Sequence, residues 1–218
     1  MKTEKHTKRY CFVLPYSNIA EQFLFSFSVD FKTTDTESCF DILNFEYYKL
    51  DNIYFGLIDM KAKDIIKIDE ILNKFVHLGE LDLSNIIVID RIFKKDLDYS
   101  NYGPIKDNLY KRLVMTLELE DDIELLNTYK EIHKPHKMWP QIIENMNTMG
   151  VKDMELYLYK NHAFLLMDTP PYYNPKRDGE KWGNLPKEQE WQNYVAKFQK
   201  VAPKSKALEK WKIMTQIG

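Results

Sequence analysis

Over residues 112–118, Leu113, Met115 and Leu117 interleave with Val114, Thr116 and Glu118 at a period of two, which predicts a β-strand. Asp121 and Asp122 follow, and Leu125, Tyr129 and His133 then recur at steps of four. This predicts a helix over 123–132 with carboxylates at the positive end of its dipole. Tyr129 and His133 share a face of that helix. After a break at Lys134-Pro135, a second helix opens with Pro140 at an N1-like position. It runs through Ile142, Ile143, Met146 and Met149 to Gly150, a natural residue just past a helix end. Residues 154–159 and 163–167 are apolar, aromatic-rich runs joined by Lys-Asn-His, the pattern of a β-hairpin. Residues 187–200 form a helix with Trp191, Tyr194, Val195 and Phe198 on one side, and Trp211, Ile213, Thr215 and Ile217 alternate as a last strand. The order strand, helix, strand, strand, helix, strand predicts an α+β, ferredoxin-like βαββαβ domain.

The N-terminal half reads in the same order. Residues 10–14 form a strand, 19–29 an aromatic-rich helix, 45–50 and 53–60 a second hairpin around Asp51-Asn52, 63–76 a helix, and 86–93 a closing strand. Turn formers gathered over 96–108 mark a linker, so the chain divides into 1–95, a linker at 96–110, and 111–218. Two pairs of phrases are parallel: residues 8–14 (KRYCFVL) beside 111–117 (KRLVMTL), and 52–59 (NIYFGLID) beside 161–168 (NHAFLLMD). They suggest a degenerate repeat of the ferredoxin-like domain. The chain could then pair its own two sheets as a pseudo-dimer of the dimeric α/β-barrel type, with a homodimer or two unrelated α+β domains as the alternatives.

Composition narrows the function classes. The 44% hydrophobic and 29% charged residues suit a packed core, and the net charge of −2 gathers into no block that would track a nucleic-acid backbone. No membrane span or signal peptide is visible, and two cysteines, Cys11 and Cys39, suggest a reducing cytoplasm. A small neutral ligand is the expected partner, with no nucleic acid and no membrane. His133 and His136 are separated by a helix-breaking Pro135 and have no third ligand at a useful spacing, so zinc is not expected. Met138, Met146 and Met149 read as core filling.

The densest constellation is Tyr129, His133, Pro135, His136, Trp139 and Pro140. It resembles the L-rhamnose mutarotase family over about residues 111–217. In that family a Tyr, three residues, a His, a short turn and Trp-Pro open a helix that ends in Gly before a strand carrying a Tyr. Tyr129, His133, Trp139, Pro140, Gly150 and Tyr157 fall in that order, and Trp191 and Lys210-Trp211 match later features. Met154 stands where the family has a Tyr and Gln192 where it has a second Trp, and the turn after His133 is longer.

The resemblance implies an aldose 1-epimerase that interconverts the α and β anomers of a 6-deoxyhexose, L-rhamnose or L-fucose, without a cofactor. His133 would be the acid/base and Tyr129 a hydrogen-bonding group on the sugar. Trp191 would offer a flat apolar surface, and Trp139 would be either a second such surface or a core anchor. Met154 and Gln192 complete the substrate-contacting set, and their departures leave a catalytically inactive sugar-binding module as the alternative. Trp211 is expected in the core, His136 in solvent, and the Pro-rich stretch from Pro170 in a loop.

Overall fold

The structure, a computed structural model, describes residues 6–15, 20, 24, 40–62, 86–95, 109–200 and 210–218. It divides into two compact units. One comprises Met1–Ile89, Asp98–Pro104 and Thr215–Gly218; the other comprises Asp90–Leu97 and Ile105–Met214. The helices expected over 19–29 and 63–76 and the linker lie almost wholly outside the described residues, though Ala20 and Leu24 are helical and buried.

In the N-terminal unit, β1 (His6–Pro15), β2 (Phe40–Leu50), β3 (Ile53–Ala62) and the first residues of β4 (Ile87–Lys94) form an antiparallel sheet. Their order is β4-β1-β3-β2, the arrangement that a split βαβ pair generates, and the terminal β9 (Thr215–Gln216) adds to β2. The hairpin turns at Asp51, whose φ of 48° an Asp tolerates. Tyr10, Phe12, Leu14, Tyr54, Ile58 and Met60 alternate onto one face as the core. Gly56 lies opposite Phe12, whose ring occupies the space a Cβ would take, at 2.1 to 2.7 Å.

The C-terminal unit repeats the strand scheme. β5 (Lys111–Glu118), β6 (Asp153–Tyr159), β7 (His162–Thr169) and β8 (Lys212–Ile213) lie in the order β8-β5-β7-β6, with the later residues of β4 beside β6. Between β5 and β6 run α1 (Ile123–Ile132) and α2 (Pro140–Thr148). Asp122 caps α1 by accepting from the backbone N–H of Glu124 and Leu125 at 2.8 and 3.0 Å. Gly150, at φ 74°, turns the chain out of α2. Met115, Leu117, Met154, Leu156, Leu158 and Met167 face the helices and make one core with Tyr129, Ile142, Met146, Trp191, Val195 and Phe198. The fold is thus an antiparallel, sheet-rich α+β arrangement of ferredoxin-like kind.

Three expectations need correction. The stretch after Pro170 contains a helix, α3 (Pro175–Gly183). Asn174 caps it by accepting from the N–H of Lys176 and Arg177, and Pro175 occupies N1, so a capping signal was hidden in a polar, Gly-containing run. The next helix, α4 (Glu188–Ala196), is shorter than 187–200, because Gln199 has left the helix to form an antiparallel bridge with Leu119. The last strand is two short ones: β8 pairs with β5 and β9 with β2, with buried Met214 between them.

Candidate active site

Between the sheet and the helices of the C-terminal unit lies a cavity of about 180 Å³. Its floor is sheet, from Phe93, Met115, Met154, Leu156, Leu165 and Met167. Its helical walls carry Tyr129 and His133 from α1 and Trp191 and Gln192 from α4, while α3 and the residue before its cap bring Tyr173 and Trp182. The lining is mainly apolar, so each polar group on it stands out.

His133 sits at the C-cap of α1, only 6% exposed. Its Nδ1 lies 2.7 Å from the carbonyl oxygen of Tyr129, one turn back. A carbonyl can only accept, so Nδ1 carries the proton and Nε2 is left as the unprotonated ring nitrogen. The same bond satisfies one of the last-turn carbonyls that a helix leaves open. Burial lowers the His133 pKa to about 4, against a smaller opposing effect of the Tyr129 carbonyl, so the imidazole is neutral near pH 7. The Tyr129 ring packs on His133 with centroids 4.3 Å apart, and burial alone raises its phenol pKa far above the usual value. Tyr129 therefore stays protonated. Trp191 meets the His133 ring edge-on at 5.5 Å.

Of the residues singled out from sequence, Tyr129, His133, Met154, Trp191 and Gln192 all line this cavity. Trp139 does not; it packs behind Trp191 at 5.4 Å and on Tyr194 at 5.9 Å, which is the core-anchor reading of that residue. Gln192 is tethered: its Nε2 donates to Glu188 Oε1 at 3.0 Å, while Asn145 Nδ2 donates to Glu188 Oε2 at 3.0 Å and to the Pro186 carbonyl at 3.0 Å. His136 is exposed. Sequence reasoning missed Trp182, Tyr173 and Gln199 on the cavity wall; Trp211, expected in the core, packs against it half-buried and also lines the cavity. The Asn174-Pro175 cap was the signal available for the segment of Tyr173 and Trp182. Among the described residues no group of three His, Cys, Asp or Glu side chains is disposed to hold a metal, and no helix is long and apolar enough to cross a membrane.

The arrangement is an apolar pocket with a neutral His and a protonated Tyr, set between the sheet and helices of a ferredoxin-like unit. Comparison with known proteins makes the assignment: through residues 112–217 the chain belongs to the L-rhamnose mutarotase family. It is 28% identical over 102 residues to an L-fucose mutarotase of Xanthomonas campestris pv. campestris, a match spanning 47% of this chain and 82% of that one. It is 35% identical over 91 residues to a UPF0734 protein of Dictyostelium discoideum, spanning 41% and 71%. A solved structure of a candidate monooxygenase from Fusobacterium nucleatum covers 99% of this chain and 94% of its own, at TM-score 0.52 and 10% identity. That likeness is one of fold.

Proposed function

We propose that the C-terminal unit is a cofactor-free aldose 1-epimerase acting on a 6-deoxyhexose, L-rhamnose or L-fucose. The observation that carries this reading is the pairing of His133 and Tyr129 on one wall of a cavity with room for a single small ligand. Anomerisation removes the proton from the anomeric hydroxyl, breaks the bond between the anomeric carbon and the ring oxygen, and protonates that oxygen. The ring then recloses on the other carbonyl face. His133, held neutral with Nδ1 engaged, takes the anomeric proton on Nε2 and, as the imidazolium, returns it to the ring oxygen as the ring bond breaks. The hydroxyl of Tyr129, kept protonated by burial, keeps its own proton and donates a hydrogen bond to the oxygen that gains charge. Trp191 and the methionines receive the apolar ring face and the 6-methyl group.

We also read the N-terminal unit as a degenerate repeat of this domain. The same strand order recurs in it, and no Trp and no Tyr-x-x-x-His pair occurs in the sequence before residue 129.

The test is NMR saturation transfer between the anomers of L-rhamnose and L-fucose. His133→Asn retains a donor near the Nδ1 position and deletes Nε2. Wild type should speed exchange, and the variant should lose about 10²- to 10⁴-fold of that acceleration while remaining folded. Binding without acceleration in the wild type would replace the enzyme reading with the sugar-binding module that Met154 and Gln192 suggest.

A further inference from the structure

Glu188 opens α4 with only 4% of its surface exposed, and among the described residues no Lys, Arg or His side chain pairs with its carboxylate. Two amides bind it instead: Asn145 Nδ2 donates to Oε2 and Gln192 Nε2 to Oε1, each at 3.0 Å. A carboxylate only accepts, so both amides must turn their nitrogen toward Glu188. Asn145 is held at its other groups as well, since it also donates to the Pro186 carbonyl at 3.0 Å and accepts from Gln141 Nε2 at 3.3 Å. Gln192 lies one turn after Glu188 on the same face of the helix, and its nitrogen is its one tether among the described residues. Its oxygen takes no protein donor. Unlike the Gln199 oxygen, which is fully buried, the Gln192 oxygen keeps accessible surface, and it does so on a half-buried residue that lines the cavity. The wall therefore offers an acceptor whose orientation is decided one turn away by Glu188. A ligand that reaches it must bring an O–H or N–H donor.

We propose that Glu188 is a positioning residue: its carboxylate holds the Gln192 amide by the nitrogen, so that the Gln192 oxygen accepts a hydrogen bond from one non-anomeric hydroxyl of the bound sugar. The inference rests on the mutarotase reading for its ligand class. It goes beyond the place of Gln192 in the substrate-contacting set, because it fixes which end of the amide meets the sugar and which residue decides that. Where the family has a Trp, whose ring nitrogen is a donor only, this chain presents an acceptor. The bond holds ground state and transition state alike, so it sets affinity and the choice among deoxyhexoses rather than the rate of ring opening.

The discriminating variant is Glu188→Gln. Asn145 still needs an acceptor, so the new amide turns its oxygen to Asn145 and its nitrogen to Gln192. Gln192 must then turn over and present its own nitrogen in place of its oxygen. Affinities of L-fucose, L-rhamnose and their monodeoxyfluoro analogues at the non-anomeric positions are measured by calorimetry, alongside melting temperatures; fluorine removes the donor of one hydroxyl and leaves its size nearly unchanged. In wild type, one analogue of the preferred sugar should bind about 3- to 10-fold more weakly than its parent, as for a lost neutral hydrogen bond. In Glu188→Gln, and equally in Gln192→Met, that single penalty should vanish. A penalty that survives in Glu188→Gln and vanishes in Gln192→Met would overturn the positioning role. The sugar contact itself falls if wild type shows no position-specific penalty, or if the penalty survives in Gln192→Met, a test that stands even where Glu188→Gln folds poorly. Equal weakening of every analogue with a lowered melting temperature would mark Glu188 as structural instead. Wild type that binds a sugar but does not speed exchange sinks the mutarotase reading alone, since the fluorine comparison still reads Gln192. Wild type that binds neither sugar overturns both.

Discussion

Burial of His133 couples chemistry to acid stability. Its folded pKa of about 4 lies below the ordinary 6.5, so between these values the unfolded chain binds the proton and the folded one does not. Stability rises with pH across that window: the contribution is fully present above about pH 6.5 and is lost as pH falls toward 4. The 2.5-unit difference corresponds to about 3 kcal/mol, so urea midpoints measured at pH 7 and near pH 4 should fall much further for wild type than for His133→Asn. A pH-independent difference between the two proteins would contradict the buried, neutral imidazole. Tyr129→Phe separates the roles further. Among the described residues the Tyr129 hydroxyl donates to no protein acceptor, so removing it should change stability by less than about 1.5 kcal/mol while anomeric exchange slows. At this scale Tyr129 and His133 were legible because a four-residue step on a helix puts them together whatever the tertiary structure. Gln199 on the cavity wall was not, since its place there depends on a bridge to Leu119, 80 positions earlier in the chain.

At the scale of elements, the sequence was most informative where start and stop signals bracket a strong periodicity. Asp122, the 3.6-residue stripe and the Pro135 break predict α1 over its observed Ile123–Ile132, and Pro140 and Gly150 bracket α2 in the same way. Asp122→Ala should then cost about 1 kcal/mol, read as a lowered urea midpoint, because two backbone N–H groups lose their acceptor. α3 was missed because Gly179 and a run of Lys, Arg, Asp and Glu leave it no buried residue, so hydrophobic patterning had nothing to report and only the Asn174-Pro175 cap remained. The break within the last strand was invisible for a different reason. Alternation from Trp211 to Ile217 is continuous, and nothing local says that residues 212–213 and 215–216 pair with different strands. Gly56 is the converse case, an apparent weak point in β3 whose use is to admit the Phe12 ring. Gly56→Ala must displace that ring, and overpacking of this kind costs about 1–3 kcal/mol in a denaturation experiment.

Across the whole molecule, the parallel phrases noted in the sequence acquire a physical counterpart. Arg9 and Asp59 face each other in the β1–β3 register and form a buried ion pair, and Arg112 and Asp168 do the same between β5 and β7, at 2.5 Å and 2.8 Å respectively. On the second strand of each unit, a Tyr donates to the Glu two residues before it, Tyr48 to Glu46 and Tyr157 to Glu155, both at 2.5 Å. The two units thus share the pair, its register and the strand that carries it. The sequence carried the residue identities, but the partnership rests on register, which one-residue slips would destroy and which no local pattern fixes. If the units descend from one domain, their ion pairs should also behave alike. Truncating one partner, as in Asp59→Ala or Asp168→Ala, takes the carboxylate from a buried guanidinium and should cost about 3–5 kcal/mol in either unit. Replacing both partners with apolar residues, Arg112→Met with Asp168→Leu, should recover most of that loss, because the desolvation cost disappears with the charges. Urea unfolding of the singles and the double provides the comparison. Similar losses at Asp59 and Asp168 support a repeated scaffold on which one copy carries the Tyr129–His133 pair, whereas a large loss at one and none at the other would mean that the two pairs share geometry without sharing a role.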